Sequence, residues 1–83
     1  MAPEQKIPTG WSPTEKTIHR TFSTDSFTRG VSFVDAIAPL AEAMNHHPDI
    51  ILSYPCVIVT LTTHDQERVT EKDLRLAQEI NDL

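Results

Sequence analysis

The sequence predicts an α+β domain with helices packed on one face of a mostly antiparallel sheet. Apolar residues alternate with polar ones in some segments, which is typical of strands, and recur at steps of three and four in others, which is typical of helices. The segments follow the order β, long α, β, β, α. That order implies an α+β architecture.

Residues 17–23, "TIHRTFS", alternate and predict the first clear strand. Ile18 and Phe22 lie on one side of it, and Thr17, His19 and Thr21 lie on the other. A short strand before it is only weakly indicated.

The next segment changes its period and predicts one long amphipathic helix. Its apolar stripe consists of Phe27, Val31, Val34, Ala38 and Ala41, continues to Asn45, and is widened by Ile37, Leu40 and Met44. Thr24 or Asp25 is the expected N-cap. Pro39 should cost one helical hydrogen bond and favours a break near Ala38. The helix should end by His46, because Pro48 pushes the residue before it towards extended geometry.

Two β-rich runs follow, "DIILSYP" and "CVIVTLTT", with a turn or edge expected at Pro55. The last segment predicts a helix with Thr70 as N-cap and Asp73 three residues later, which form a capping box. Val69 before the cap can pack against Leu74.

The composition bounds the domain organisation and the class of protein. A chain of 83 residues makes one small domain that buries only about 60% of its unfolded surface, so self-association would add stability. Residues 1–10 are expected to form a flexible arm, and residues 11–83 the domain. With 39% apolar and 23% charged residues, the chain resembles ordinary soluble globular proteins.

Several kinds of partner and location are disfavoured. The net charge of −5 and the lack of a basic cluster argue against direct nucleic-acid binding. No apolar run is long enough to cross a membrane and no signal-peptide pattern is present, so a cytoplasmic location is expected. The single cysteine, Cys56, excludes an internal disulfide and a cysteine-based zinc site, and its apolar neighbours favour burial.

The histidines are the candidate functional residues. Glu42 and His46 are four residues apart, so on a helix they can touch, and the carboxylate would orient the imidazole. His47 should point elsewhere because the helix is ending. His64 follows the last strand, and its end could adjoin the end of the helix. Two or three imidazoles and one carboxylate could then converge on one pocket.

Spacing alone leaves the role of these histidines open. Zinc is disfavoured because adjacent histidines rarely chelate one ion and no H-x-x-x-H or H-x-H spacing is present. A structural role, with His47 capping the helix end and His64 on the surface, remains open. So does an acid and base pair, because free imidazoles titrate near pH ~6.5 and two of them can hold opposite protonation states.

A longer pattern resembles the signature of the pterin-4a-carbinolamine dehydratases. It runs Glu42, three residues, His46, His47 and Pro48, five residues, Tyr54, nine residues, His64, eight residues, Asp73. The similarity extends upstream through Trp11, Arg20, Phe22, Phe27 and Phe33 and downstream to Leu83. The chain is similar to a short family member without an extra N-terminal helix.

This resemblance implies a fold and an activity. The fold would be a four-stranded antiparallel sheet with helices on one face, assembled as a homodimer or homotetramer. The activity would be dehydration of a 4a-hydroxytetrahydropterin to the quinonoid dihydropterin in support of tetrahydrobiopterin recycling, with no metal or organic cofactor. The same resemblance leaves one alternative, since some relatives are non-catalytic dimerisation or assembly partners.

The resemblance also implies roles for individual residues. His46 and His64 would be the acid/base pair, with Glu42 orienting or charging His46. The substrate would be bound by His47, Pro48, Tyr54, Thr62 and Thr63, with backbone groups of the two threonines reading the pterin's amide edge. Asp73 is expected to be mainly structural and to support the loop after His64.

One feature departs from the family pattern. Family members usually carry glycines between the last histidine and the final helix, whereas "HDQERVT" has none. Glycine adopts positive φ at little cost and other residues do not. We therefore expect a loop of different shape beside the site.

Overall fold

The computed structural model describes residues 6–83, and this part of the chain contains four strands and two α-helices. Their bounds are β1 Ser12–Pro13, β2 Ile18–Ser23, α1 Phe27–Met44, β3 Asp49–Leu52, β4 Cys56–Leu61 and α2 Glu71–Asn81, with a 3-10 helix at His64–Gln66. The predicted order of elements is confirmed, and the weakly indicated first strand is present as β1.

The four strands form one antiparallel sheet in the order β1-β2-β4-β3. Along the central strand β4, Val57, Val59 and Leu61 are buried and alternate with partly exposed residues. These three side chains share the core with residues of both helices, including Ile37 and Leu76. The α+β prediction, with helices covering one face of a four-stranded sheet, is therefore confirmed.

The start of α1 differs from the prediction. Neither Thr24 nor Asp25 is the N-cap; Ser26 takes this position, and its Oγ accepts a hydrogen bond from the Arg29 backbone N–H at 3.1 Å. Asp25 adopts a φ of +64°, which turns the chain into the helix. The cap therefore moves to the first residue after this turn, where the extended backbone allows the side chain to fold back.

The helix continues through Pro39 without the expected break near Ala38. Pro39 is exposed, so its ring meets solvent and not the core. No helix in residues 6–83 combines the length and apolar character needed to cross a membrane.

The buried face of α1 also differs from the predicted stripe. Gly30, Ile37 and Ala41 are buried, whereas Phe27 and Val31 are 52% and 39% exposed. Apolar residues surround more of this helix than a single face can bury, so spacing alone could not identify the face that meets the sheet.

Gly30 allows α1 to approach the sheet closely. A β-carbon at this position would lie 2.6 Å from Leu52 Cδ1 of β3. The absence of a side chain at Gly30 therefore helps to select the face that α1 turns towards the strands.

The end of α1 is set by Asn45 and not by Pro48. Asn45 has a φ of +48°, its backbone N–H contacts the carbonyls of Ala41 and Glu42, and His46 N–H donates to the Ala41 carbonyl at 3.1 Å. This left-handed turn closes a helix by satisfying its last carbonyls, and asparagine tolerates it better than most residues. The chain has therefore left helical geometry before the histidine pair.

Residues 7–10, which were expected to belong to a loose arm, are held against the domain. Ile7 packs against the core, and the Thr9 carbonyl accepts hydrogen bonds from Arg20 at 3.0 Å and from Asn81 at 2.9 Å. The Asn81 side-chain oxygen also accepts from Trp11 Nε1 and Arg20. The rest of the expected arm, residues 1–5, lies outside the described residues.

We expect Gly10→Ala to destabilise the fold by about 1–2 kcal/mol or more, because a left-handed backbone conformation is unfavourable with a β-carbon. Gly10 has a φ of +89°, and its new β-carbon would lie 2.5 Å from Arg20 Cζ. Urea unfolding measures the stability of both Gly10→Ala and its matched control, Thr9→Ala. Within residues 6–83 only the carbonyl of Thr9 makes hydrogen bonds, so Thr9→Ala should change the free energy of unfolding by less than about 0.5 kcal/mol. Equal stabilities of the two variants would contradict this account.

Candidate active site

Three segments of the chain meet at one side of the domain and form a pocket of about 370 Å³. They are the residues after α1, the residues after β4, and the first turn of α2. The pocket is lined by Asn45, His46, His47, Thr62, Thr63, His64, Asp65 and Lys72. We call it the histidine pocket, because it brings together the three histidines that the sequence singled out.

His46 is anchored by a buried carboxylate. Its Nε2 lies 2.5 Å from Asp73 Oδ1, across 27 residues of sequence. The His46 side chain is 10% exposed and the Asp73 side chain is fully buried. The partner of His46 is therefore Asp73, which the sequence had assigned mainly to the helix cap and the loop.

Asp73 also holds the residues around the pocket in place. Its Oδ2 accepts hydrogen bonds from Thr63 Oγ1 at 2.8 Å and from the Thr70 backbone N–H at 2.9 Å. The Thr63 and Thr70 hydroxyls lie 2.6 Å apart. The predicted capping box of α2 is confirmed, and the same carboxylate reaches a strand end and a histidine as well.

The expected contact between Glu42 and His46 is wrong. Glu42 Oε2 lies 2.5 Å from His47 Nε2, with side chains 72% and 55% exposed. The four-residue rule holds only within a continuous helix, and the left-handed Asn45 ends α1 before His46 is reached. Because this pair is largely solvated, it contributes little to stability.

His64 is the first residue of the 3-10 helix that follows β4, and it lines the histidine pocket. It is exposed, and its ring makes no hydrogen bond to any residue between 6 and 83. His46 and His64 therefore occupy different environments. One is held by a buried carboxylate, and the other is available to solvent or a ligand.

The two threonines of the pocket are not equivalent. Thr63 donates its backbone N–H to the Arg68 carbonyl at 3.0 Å and accepts from the Gln66 N–H at 3.1 Å. Its N–H is therefore not free to bind a ligand, contrary to the expectation that both threonines offer backbone groups. Thr62 makes no backbone hydrogen bond outside the strands within residues 6–83, so its peptide groups remain available.

Two other expected binding residues lie outside the pocket lining. Pro48 is partly buried beside His47, and Tyr54 is 69% exposed at the turn between β3 and β4. That turn lies at the far end of the hairpin from the histidines, roughly 15 Å away at ~3.3 Å per residue. Strand direction thus separates Tyr54 from the site, although both belong to one sequence pattern.

Asn45, Asp65 and Lys72 line the pocket although the sequence did not single them out for it. Each is the direct neighbour of a motif residue, and this adjacency was the available signal. Lys72 also borders a second cavity of about 370 Å³ beside α2. No group of three or more His, Cys, Asp or Glu side chains in residues 6–83 is arranged to hold a metal ion.

The loop after His64 makes its turn without a glycine. Glu67 follows the 3-10 helix with a φ of +51°, and its N–H contacts the His64 carbonyl at 3.2 Å. Thr63 and Arg68 pair across the loop as an isolated antiparallel bridge. A residue with a β-carbon therefore occupies a conformation that glycine adopts more readily.

Comparisons with known proteins agree on one family. The sequence profile described as pterin 4 alpha carbinolamine dehydratase matches residues 2–83. A protein of Sulfurisphaera tokodaii, provisionally named a pterin-4-alpha-carbinolamine dehydratase, is 43% identical over 74 residues, which is 89% of this chain and 80% of that protein. A protein of Aquifex aeolicus with the same provisional name is also 43% identical over 74 residues, covering 89% of this chain and 75% of that protein.

Solved structures show the same fold. A transcriptional coactivator/pterin dehydratase from Brucella melitensis has a TM-score of 0.83 and 34% identity, covering 89% of this chain and 81% of that one. A pterin dehydratase-like protein identified as a RuBisCO assembly factor in the alpha-carboxysome has a TM-score of 0.69 and 22% identity, covering 87% of this chain and 83% of that one. At that identity, the second likeness concerns the fold alone.

Glu67 allows a direct test of the loop geometry. We expect Glu67→Gly to be more stable than Glu67→Ala by about 1 kcal/mol, because only glycine relieves the left-handed conformation. Both variants lose the exposed 3.3 Å ion pair with Lys16, so their difference in chemical denaturation isolates the backbone effect. A Glu67→Ala variant as stable as Glu67→Gly would show that the backbone is not strained at this residue.

Proposed function

The chain belongs to the pterin-4a-carbinolamine dehydratase family, and on this premise we propose that it dehydrates a 4a-hydroxytetrahydropterin to the quinonoid dihydropterin. The reaction would support the recycling of tetrahydrobiopterin. The observation that carries the proposal is the meeting of His46, His47 and His64 around one pocket.

The reaction needs two proton transfers and no covalent nucleophile. The lone pair of the ring nitrogen beside C4a forms a C=N double bond while the C4a–O bond breaks. The departing hydroxyl takes up a proton and leaves as water, and the nitrogen releases its own proton. An acid must therefore act at the oxygen and a base at the nitrogen.

His46 and His64 supply these two groups in our proposal. They reach the pocket from different elements, so one substrate can lie between them. A positioned acid or base typically contributes about 10² to 10⁴ in rate. Imidazole suits both tasks because it exchanges protons near neutral pH.

The remaining pocket residues would bind the pterin. His47, held by Glu42, would contact the pterin ring. The free peptide groups of Thr62 would pair with the amide edge of the pterin, as a strand edge pairs with an extended ligand. In this proposal Glu42 therefore supports His47, which binds the substrate, and not His46, which transfers a proton.

The first prediction concerns the reaction itself. Purified protein should form quinonoid dihydropterin from a freshly generated 4a-carbinolamine faster than the spontaneous reaction, and His46→Ala or His64→Ala should lower kcat by about 10² to 10⁴. The matched control is His19→Ala, since His19 lies on β2 opposite Thr60 and outside the pocket. It should retain kcat within about two-fold.

A wild-type rate equal to the spontaneous rate would refute the dehydratase proposal. In that case a stoichiometric protein partner retained through purification would favour an assembly role, which is the role named for the structural neighbour with 22% identity. Equal losses in all three histidine variants would indicate a general effect on folding.

We further propose that the protein is a homodimer or homotetramer. Exposed apolar side chains support self-association, and Phe27 and Val31 lie one turn apart on the outer face of α1. Phe27→Ser combined with Val31→Ser should reduce the mass measured by sedimentation, whereas Thr28→Ser on the same exposed turn should not. A wild-type protein that sediments as a monomer at all concentrations would contradict the proposal.

A further inference from the structure

Asp73 and His46 form a buried pair whose hydrogen-bond geometry bears on which nitrogen of the His46 ring carries the proton. Asp73 Oδ2 already accepts two hydrogen bonds, from the Thr63 hydroxyl and the Thr70 backbone N–H. Its other oxygen, Oδ1, faces His46 Nε2 at 2.5 Å. Both side chains are shielded from water, with exposures of 0% and 10%.

The chemistry of the carboxylate decides which ring nitrogen carries the proton. An ionised carboxylate only accepts hydrogen bonds, and a buried one is stable only when donors surround it. The Nε2 of His46 must then be the third donor. In the neutral imidazole this leaves Nδ1 as the nitrogen with a free lone pair, and no residue between 6 and 83 bonds to it.

We propose that Asp73 is a positioning residue that holds His46 in the Nε2-protonated tautomer, so that Nδ1 is the nitrogen that exchanges protons with the substrate. The inference rests on the proposed dehydration. When Nδ1 takes up a proton, Nε2 keeps its own proton and its hydrogen bond to the carboxylate, so the ring stays in place. Because Asp73 is fully buried, water screens this interaction weakly.

The assignment separates the two carboxylate–histidine pairs of the site. Glu42 and His47 show the same Nε2 contact, but their side chains are 72% and 55% exposed. A solvated pair does not hold one tautomer firmly, since water can replace either partner. Asp73 therefore controls the protonation of His46, whereas Glu42 mainly limits the orientation of His47.

Replacing Asp73 by asparagine should reverse the tautomer. Thr63 and Thr70 both present donors to the Oδ2 position, so the side-chain oxygen of the asparagine belongs there. Its NH₂ group then faces His46 Nε2, which must accept, and the ring proton moves to Nδ1. A misplaced proton of this kind disables a histidine base while leaving its position unchanged.

The test combines kinetics with the nitrogen NMR spectrum of the histidines. In ¹⁵N-labelled wild-type protein at a pH where the rings are neutral, His46 should show a protonated Nε2 and an unprotonated Nδ1. Asp73→Asn should show the reverse pattern. Its kcat should fall by at least about 10²-fold, with KM within about three-fold.

Thr70→Ala is the matched control for the structural role of Asp73. It removes the Thr70 hydroxyl and weakens the cap of α2, but keeps the Thr70 N–H and the contact with His46. We expect a lower melting temperature, an unchanged His46 tautomer and a kcat within about two-fold of wild type. A structural role alone would instead reduce kcat in both variants in proportion to their loss of stability.

Three results would overturn the inference. They are an Nδ1-protonated His46 in wild-type protein, an unchanged tautomer in Asp73→Asn, and an unchanged kcat in Asp73→Asn. The first needs no variant, so it decides the matter even if Asp73→Asn fails to fold. A wild-type protein without dehydratase activity refutes the proposed function instead, and the spectrum distinguishes that failure from a wrong tautomer.

Discussion

The carboxylate of Asp73 is fully buried and contacts His46 after α1, Thr63 after β4 and the Thr70 backbone at the start of α2. Removing a carboxylate from water is costly unless hydrogen bonds replace its hydration. The three chain segments must therefore keep the arrangement that supplies those bonds. The histidine pocket lies where these segments meet, so its shape depends on this one group.

The adjacent histidines behave differently because the helix has ended before them. Asn45 turns the chain into a left-handed conformation, and the next side chain, His46, enters the domain to reach Asp73. His47 faces outwards to the exposed Glu42. In a continuous helix the two side chains would instead project about 100° apart around one helix axis.

Local chemistry made most of the fold predictable. Alternation identified β2 and β4, helical spacing identified α1 and α2, and Thr70 with Asp73 identified the capping box. Two errors in the fold arose where several local signals competed. Several polar residues could have capped α1. Apolar residues on more than one side of α1 concealed which face is buried, and only the close approach of Gly30 to Leu52 in the folded chain identifies that face.

The sequence by itself indicated the family and the candidate residues His46, His47 and His64, because their spacing resembles the family signature. Only the tertiary structure decided their partners. The Asp73–His46 contact spans 27 residues of sequence. The Thr63 backbone N–H donates to the Arg68 carbonyl, and this hydrogen bond forms only because the loop between them folds back on itself. Sequence spacing predicts contacts between neighbours along one helix or strand. A buried carboxylate is instead hydrogen-bonded by donors that come from distant parts of the sequence, and only the folded chain brings these donors together.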